Sequence, residues 1–152
     1  MNDFKVDNIA YSKDHYLNLQ NSVIRLLEEW DKYGKLIVAY DFDDTVCPSD
    51  NRPECRQIIE LLRECKKQGC YMIVFTCRPY EEYDFVRKFL DDNDIPYDMI
   101  NDNDPEVKLS TSRKIFYNIF LDDRCGLKSA YEIMVRTLEQ RRDKMIDAKE
   151  LI

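Results

Sequence analysis

Apolar positions along this chain alternate between two periods, one helical and one of strand type. Between Ser12 and Tyr33, Tyr16, Leu19, Val23, Leu26, Leu27, Trp30 and Tyr33 recur at helical spacing. Asn18, Asn21, Arg25, Glu28 and Lys32 fill the other face, and Gly34 is placed to end the helix. Residues 1–11 are polar and predict irregular chain. Residues 35–40 predict a first strand, and Pro48 and Pro53 bracket a polar loop after it. A helix to about Gln68 follows, with Ile58, Ile59, Leu61, Leu62 and Cys65 inward, Lys66 and Lys67 in its last turn and Gly69 as its stop. Cys70 to Phe75 is an apolar run of strand length ending at Thr76-Cys77-Arg78-Pro79. Pro79 suits the opening of a helix carrying Phe85, Val86, Phe89 and Leu90. A short strand is predicted over 95–100, a polar loop over 101–112 and a further strand over 115–121, which runs into Asp122-Asp123. The last helix is predicted to start between Gly126 and Ser129, with Ala130, Ile133, Met134 and Leu138 inward. Its charged tail after Glu139 has only Met145 and Ile146 to anchor it and is expected to fray.

Strands alternating with helices imply a parallel sheet with right-handed crossovers. The predicted class is α/β, a Rossmann-like parallel sheet with helices on both faces and a single domain. Residues 1–34 form an amino-terminal extension and helix, 35–138 the core and 139–152 a charged helical tail. The 152 residues are enough to bury one proper core.

Composition narrows the partners. A formal charge of −7 argues against an extended nucleic-acid track or an anionic membrane surface, which call for basic stripes. No apolar run approaches the ~20 residues that cross a bilayer. The first five residues lack the basic and apolar regions of a signal peptide, so a cytoplasmic location is expected. The six cysteines form no Cys-x-x-Cys pair and are read as reduced, mostly buried thiols. His15, the sole histidine, reads as a surface residue. An oligomer is compatible with all of this.

The candidate chemistry sits where strands end. Val38 to Tyr40 lead into Asp41-Phe42-Asp43-Asp44-Thr45, which delivers carboxylates to the carboxyl edge of a sheet, where open α/β folds place ligands. Side chains alternate along a strand, so Asp41 and Asp43 share a side if the extended geometry persists. Close like charges repel unless a cation or a proton sits between them, which predicts a hard divalent metal. One carboxylate is then free to attack and the other to carry protons. Thr76 and the pair Asp122/Asp123 end two further strands, and Lys114 precedes the last of them. Either acidic cluster alone also fits a turn or a helix cap. Both together, with Thr76 and Lys114 in order, point to chemistry.

These segments resemble the motifs of the haloacid dehalogenase-like (HAD) phosphohydrolases. Asp41-Phe42-Asp43-Asp44-Thr45 resembles the first motif, Asp-x-Asp-x-Thr/Val, and Ile73-Val74-Phe75-Thr76 the second. Lys114 is similar to the third motif's lysine and Phe120-Leu121-Asp122-Asp123 to the fourth motif. Lys108 lies in the same interval, but only Lys114 gives the Lys-x-x-x-x-x-x-x-Asp-Asp spacing of short members. The resemblance implies a metal-dependent phosphomonoester hydrolase in which Asp41 attacks phosphorus and Asp43 serves as acid and base. It also implies Mg²⁺ held by Asp41, the Asp43 backbone carbonyl and Asp122, with Asp123 supporting or ligating. Thr76 and Lys114 are implied to bind the phosphate, and Arg78, two residues past Thr76, is a second anion contact by position. Neither interval between the motifs has room for a cap domain, so a capless, open site is expected. Such a site suits a phosphorylated protein, a nucleotide or a polymer terminus. Two alternatives are a receiver-like phosphate-responsive domain and a non-catalytic HAD-like binding domain. A receiver places its phosphorylated Asp on the third strand, before Thr and Lys, which this order does not match. Three scattered glycines exclude a dinucleotide-binding loop.

Overall fold

The computed structural model describes residues 14–51, 54–108 and 113–151. The irregular stretch predicted over 1–11, Pro53 and part of the 101–112 loop lie outside the described residues. The first helix starts later than its pattern suggests. A short 3-10 turn, His15–Leu17, comes first, and Asn18 then caps α1 (Leu19–Tyr33). The Asn18 side chain accepts hydrogen bonds from the N–H groups of Gln20 and Asn21, two of the donors a helix start leaves open. Gly34, at φ 76°, ends α1 in the left-handed region that favours glycine. Tyr16 and Tyr33, at the two ends of the periodic stripe, are exposed, while Val23, Leu26 and Trp30 are buried.

The remaining elements are β1 (Ile37–Asp41), α2 (Arg56–Lys67), β2 (Tyr71–Phe75), α3 (Tyr83–Asp92), β3 (Met99–Ile100), β4 (Ile119–Leu121) and α4 (Leu127–Glu150). The four strands are parallel, in the order β3-β2-β1-β4. β3 is shorter than predicted because Pro96 has no N–H to give, and the Asp98 carboxylate takes the Met72 N–H at 2.8 Å. β4 is also shorter than predicted. Asn118 at its entry bonds Ile37 N through its side chain at 2.7 Å and Ile37 O through its own N–H at 2.9 Å.

One sheet face carries Val38, Tyr40, Met72, Val74, Ile119 and Leu121. It packs against Leu26 and Trp30 of α1, Leu61, Leu62 and Cys65 of α2, Val86 and Leu90 of α3, and Ala130, Met134 and Leu138 of α4. Full burial of such side chains contributes about 1.5–3 kcal/mol each. The other face carries Ile37, Ala39 and Ile73. Its further apolar cover comes from the strands and from Val107, Ile115 and Tyr117 of the segment between β3 and β4. The Rossmann-like sheet is therefore present, but helix cover on both faces is not found among the described residues. The β3–β4 connection would carry the second layer. It opens with Asn101-Asp102-Asn103-Asp104-Pro105, a run that favours turns over helix.

Two further expectations are corrected. The tail after Glu139 continues α4 without a break to Glu150. Its hold comes from Arg141, 5.0 Å above the Trp30 ring and bonded to Asp31, and from Lys144, also on Asp31, while Met145 and Ile146 are exposed. The cysteines are not mostly buried: Cys65 and Cys70 are, Cys47 and Cys55 are partly so, and Cys77 and Cys125 are exposed on loops beyond strand ends. No described helix is long and apolar enough to cross a membrane.

Candidate active site

Strand register brings the candidate residues together. Asp41 lies level with Phe75, so Thr76 is the next residue out on β2. Tyr40 pairs with Leu121, which places Asp122 beside Asp41, and Val74 pairs with Ile100, which places Asn101 near Thr76. In a parallel sheet these all fall on one carboxyl edge. The carboxylates of Asp41, Asp122 and Asp123 offer oxygens that all lie within 4.8 Å of one another.

The extended chain stops at Asp41, and a tight turn follows. The Phe42 carbonyl accepts the N–H groups of Val46 and Cys47, at 3.1 and 2.9 Å. Asp44 adopts φ 61°, tolerable for Asp, and accepts both the backbone N–H and the hydroxyl of Ser49. Phe42 is fully buried edge-to-face against Phe89, which pins this turn to the core. Thr45 is 1% exposed and accepts the Asp123 N–H at 3.0 Å. Its hydroxyl stands 3.3 Å from Asp41 Oδ2 and 3.4 Å from Asp123 Oδ1. Thr45 thereby ties the end of β1 to the end of β4.

Burial, the Asp122 charge and the hydrogen bond with Asp123 push the Asp41 carboxyl up to about 7. Three crowded carboxylates with no cation among them favour a proton. A hard divalent cation with oxygen ligands would take that proton's place, and the donor set fits one.

Asp43 stands in a different field. Its carboxylate does not join the acidic group but meets the fork of Arg78. Arg78 Nη2 lies 2.8 Å from Asp43 Oδ1, and Nε lies 3.1 and 3.2 Å from the two carboxylate oxygens. Arg78 Nη1 bonds Glu82 Oε2 at 2.7 Å, and the guanidinium sits 4.8 Å from the centroid of Phe85 and 5.4 Å from that of Phe42. Hydrogen bonding to Asp43, then to Glu82, raises the Arg78 pKa further, so the group stays a cation.

Thr76 is buried at the mouth of β2, where its hydroxyl oxygen accepts the Arg78 N–H at 3.1 Å. Asn101 clamps it. The Asn101 side chain accepts Thr76 N–H and donates to Thr76 C=O, both at 2.7 Å, and also donates to Tyr83 Oη. The two lysines separate. Lys108 lines a cleft with Tyr16, Lys35, Ile37 and Asn118 at the amino end of the sheet, opposite Asp41. Lys114 is exposed on the segment leading to β4, eight residues before Asp122.

Thr45, Asn101 and Glu82 were not singled out from sequence as parts of the site. Asn101 had one signal, an Asn directly after a short strand, a residue that tolerates the φ of 51° found there. The pairing of Glu82 with Arg78 is an i, i+4 contact and could have been read from spacing.

A sequence profile described as haloacid dehalogenase-like hydrolase matches residues 38–122, more than half of the chain. The chain belongs to the haloacid dehalogenase-like hydrolase family. The match opens within β1 and closes on Asp122, so it takes in every strand end described above and stops one residue short of Asp123. A solved structure described as a conserved protein from Bacteroides thetaiotaomicron superposes with a TM-score of 0.56 at 23% identity. The likeness covers 67% of this chain and 91% of that one, and it shows a shared fold. No curated protein matches the chain.

Proposed function

We propose that this HAD-family hydrolase cleaves phosphomonoesters through an aspartyl-phosphate formed on Asp41, with Mg²⁺ as its cofactor. The observation that carries this reading is the split between the two carboxylates of the first motif. Asp41 lies in an acidic group suited to a cation, and Asp43 lies outside it. Asp41, Asp122 and the Asp43 carbonyl, with Asp123 alongside, would hold Mg²⁺, which would supply charge screening between the Asp41 carboxylate and the phosphate dianion.

In the first step an Asp41 oxygen bonds to phosphorus as the bond from phosphorus to the leaving oxygen breaks. Asp43 gives its proton to that oxygen. In the second step Asp43 takes a proton from water, the water oxygen bonds to phosphorus, and the bond from phosphorus to Asp41 breaks. Orthophosphate leaves, and both carboxyl groups return to their starting states. The Thr76 oxygen already accepts the Arg78 N–H, which leaves its proton to donate to a phosphoryl oxygen. Lys114 is proposed to neutralise the phosphate, a choice supported by Lys108 lining a cleft at the amino end of the sheet.

The substrate proposed is a phosphorylated protein, a nucleotide or a polymer terminus. The Asp43 side chain is 49% exposed and Tyr80, two residues past Arg78, is 78% exposed, which supports a mouth open to a bulky leaving group. The test is release of 4-nitrophenolate from 4-nitrophenyl phosphate. Turnover should require Mg²⁺, stop with chelator, and vanish in Asp41→Asn while the melting transition is kept. Turnover near wild type in Asp41→Asn would refute the reading.

A further inference from the structure

Arg78 was read from sequence as a contact for the substrate's phosphate, and the structure shows its guanidinium engaged elsewhere. The fork of Nε and Nη2 grips Asp43, Nη1 is braced on Glu82, and the flat faces of Phe42 and Phe85 set its plane. Four groups thus define where this cation stands. Asp43 has no comparable support of its own. It follows the end of β1, its side chain is half exposed, and among the described residues no side chain other than Arg78 bonds its carboxylate. A half-exposed Asp in a turn would otherwise sample several rotamers.

We propose that Arg78 is a positioning residue that acts through Asp43, fixing the carboxylate that must reach both the leaving oxygen and the attacking water. The proposal rests on the phosphatase reading and adds a job for a residue outside the acidic group. A planar fork can hold a carboxylate in one orientation, whereas a lysine at this place would offer a point charge. Proton transfer needs the acid within hydrogen-bond reach of its target, and a displacement of about 1 Å can cost about 10²-fold in rate.

The test is a double-mutant cycle with β-glycerol phosphate, whose poor leaving group needs a proton. Arg78→Ala should lower kcat about 10²-fold with KM little changed, and Arg78→Lys should not restore it. Asp43→Asn should lower kcat by about 10²–10⁴-fold, and adding Arg78→Ala to it should cause no further loss. Free guanidinium should recover part of the Arg78→Ala rate. A raised KM with kcat kept, or losses that multiply in the double variant, would overturn the proposal and make Arg78 a direct phosphate contact. One readout does not depend on turnover. The Arg78 Nε–H resonance should be shifted and slow to exchange in the wild type and lose both features in Asp43→Asn. An unchanged resonance in Asp43→Asn would overturn the proposal. Absence of Asp41-dependent turnover in the wild type would instead sink the phosphatase reading and leave the resonance to decide the role of Arg78.

Discussion

Asp41 and Asp43 are the same residue type two positions apart, and the fold gives them opposite surroundings. Asp41 faces two further carboxylates and is pushed up to about 7, while Asp43 faces a guanidinium fork. The difference arises from backbone geometry. The strand ends at Asp41, whose neighbours are set by the register with β4, and the turn beyond it throws Asp43 toward the residues after β2. The first arrangement attracts a cation, and the second already contains one. With a cation among its three carboxylates Asp41 would be ionised, as the proposed nucleophile must be, which leaves Asp43 for the proposed proton transfers.

The largest expected effect tests the acidic side. Asp41→Asn should lower turnover of 4-nitrophenyl phosphate by on the order of 10⁴-fold or more. It should also abolish the rise in melting temperature that Mg²⁺ gives the wild type. Asp43→Asn should break the comparison from the other side, losing about 10²–10⁴-fold in turnover yet keeping the Mg²⁺-induced rise. Loss of that rise in Asp43→Asn would mean its carboxylate belongs to the metal group after all. Lys114→Ala should cost roughly 10–10²-fold in kcat/KM, and Lys108→Ala close to nothing. Equal losses would remove the distinction between the two lysines.

pH sharpens the same contrast. Asp41 binds its proton more tightly when folded, about 7, than at its ordinary value of 3.8. Between those values the folded protein holds the extra proton, so metal-free stability should fall as pH rises from 4 toward 7 and then level off. Mg²⁺ competes with that proton, so its apparent affinity should climb with pH over the same window. Thermal melts with chelator and with Mg²⁺ across this range read both slopes. A metal-free stability that rises through the window would contradict the crowding of Asp41. The smallest effect concerns support. Asn101→Ala removes three hydrogen bonds and an Asn from a left-handed position, and should cost about 1–3 kcal/mol by denaturant titration.

The acidic side was legible in sequence and the arginine side was not. Asp41, Asp122 and Asp123 end apolar strands, and a parallel sheet brings strand ends to one edge whatever the loops do. Arg78 and Asp43 lie past their strands, in turns whose directions are set by Asp44 at positive φ and by the buried Phe42. Alternation along a strand says nothing once the strand has stopped. The same limit explains the sheet face that, among the described residues, has loop rather than helix cover. Ile115 and Tyr117 carry the apolar pattern of a strand, yet they serve as a loop covering Ile37, Ala39 and Ile73, because only 119–121 reach β1. The α4 tail is helical as its pattern predicts, but what keeps it from fraying is hidden for a related reason. Its anchors are charged residues on Asp31 and Trp30, which a search for apolar positions passes over.

The most direct measurement is of the covalent intermediate. A radiolabelled 4-nitrophenyl phosphate carries a leaving group that needs no proton, so Asp43→Asn should complete the first step and stall at the second. Acid quench and peptide mapping should then find the label on Asp41, stable in acid and released by hydroxylamine. Label on any other residue would contradict the assignment of nucleophile and proton carrier, as would an unlabelled Asp43→Asn protein beside an active wild type.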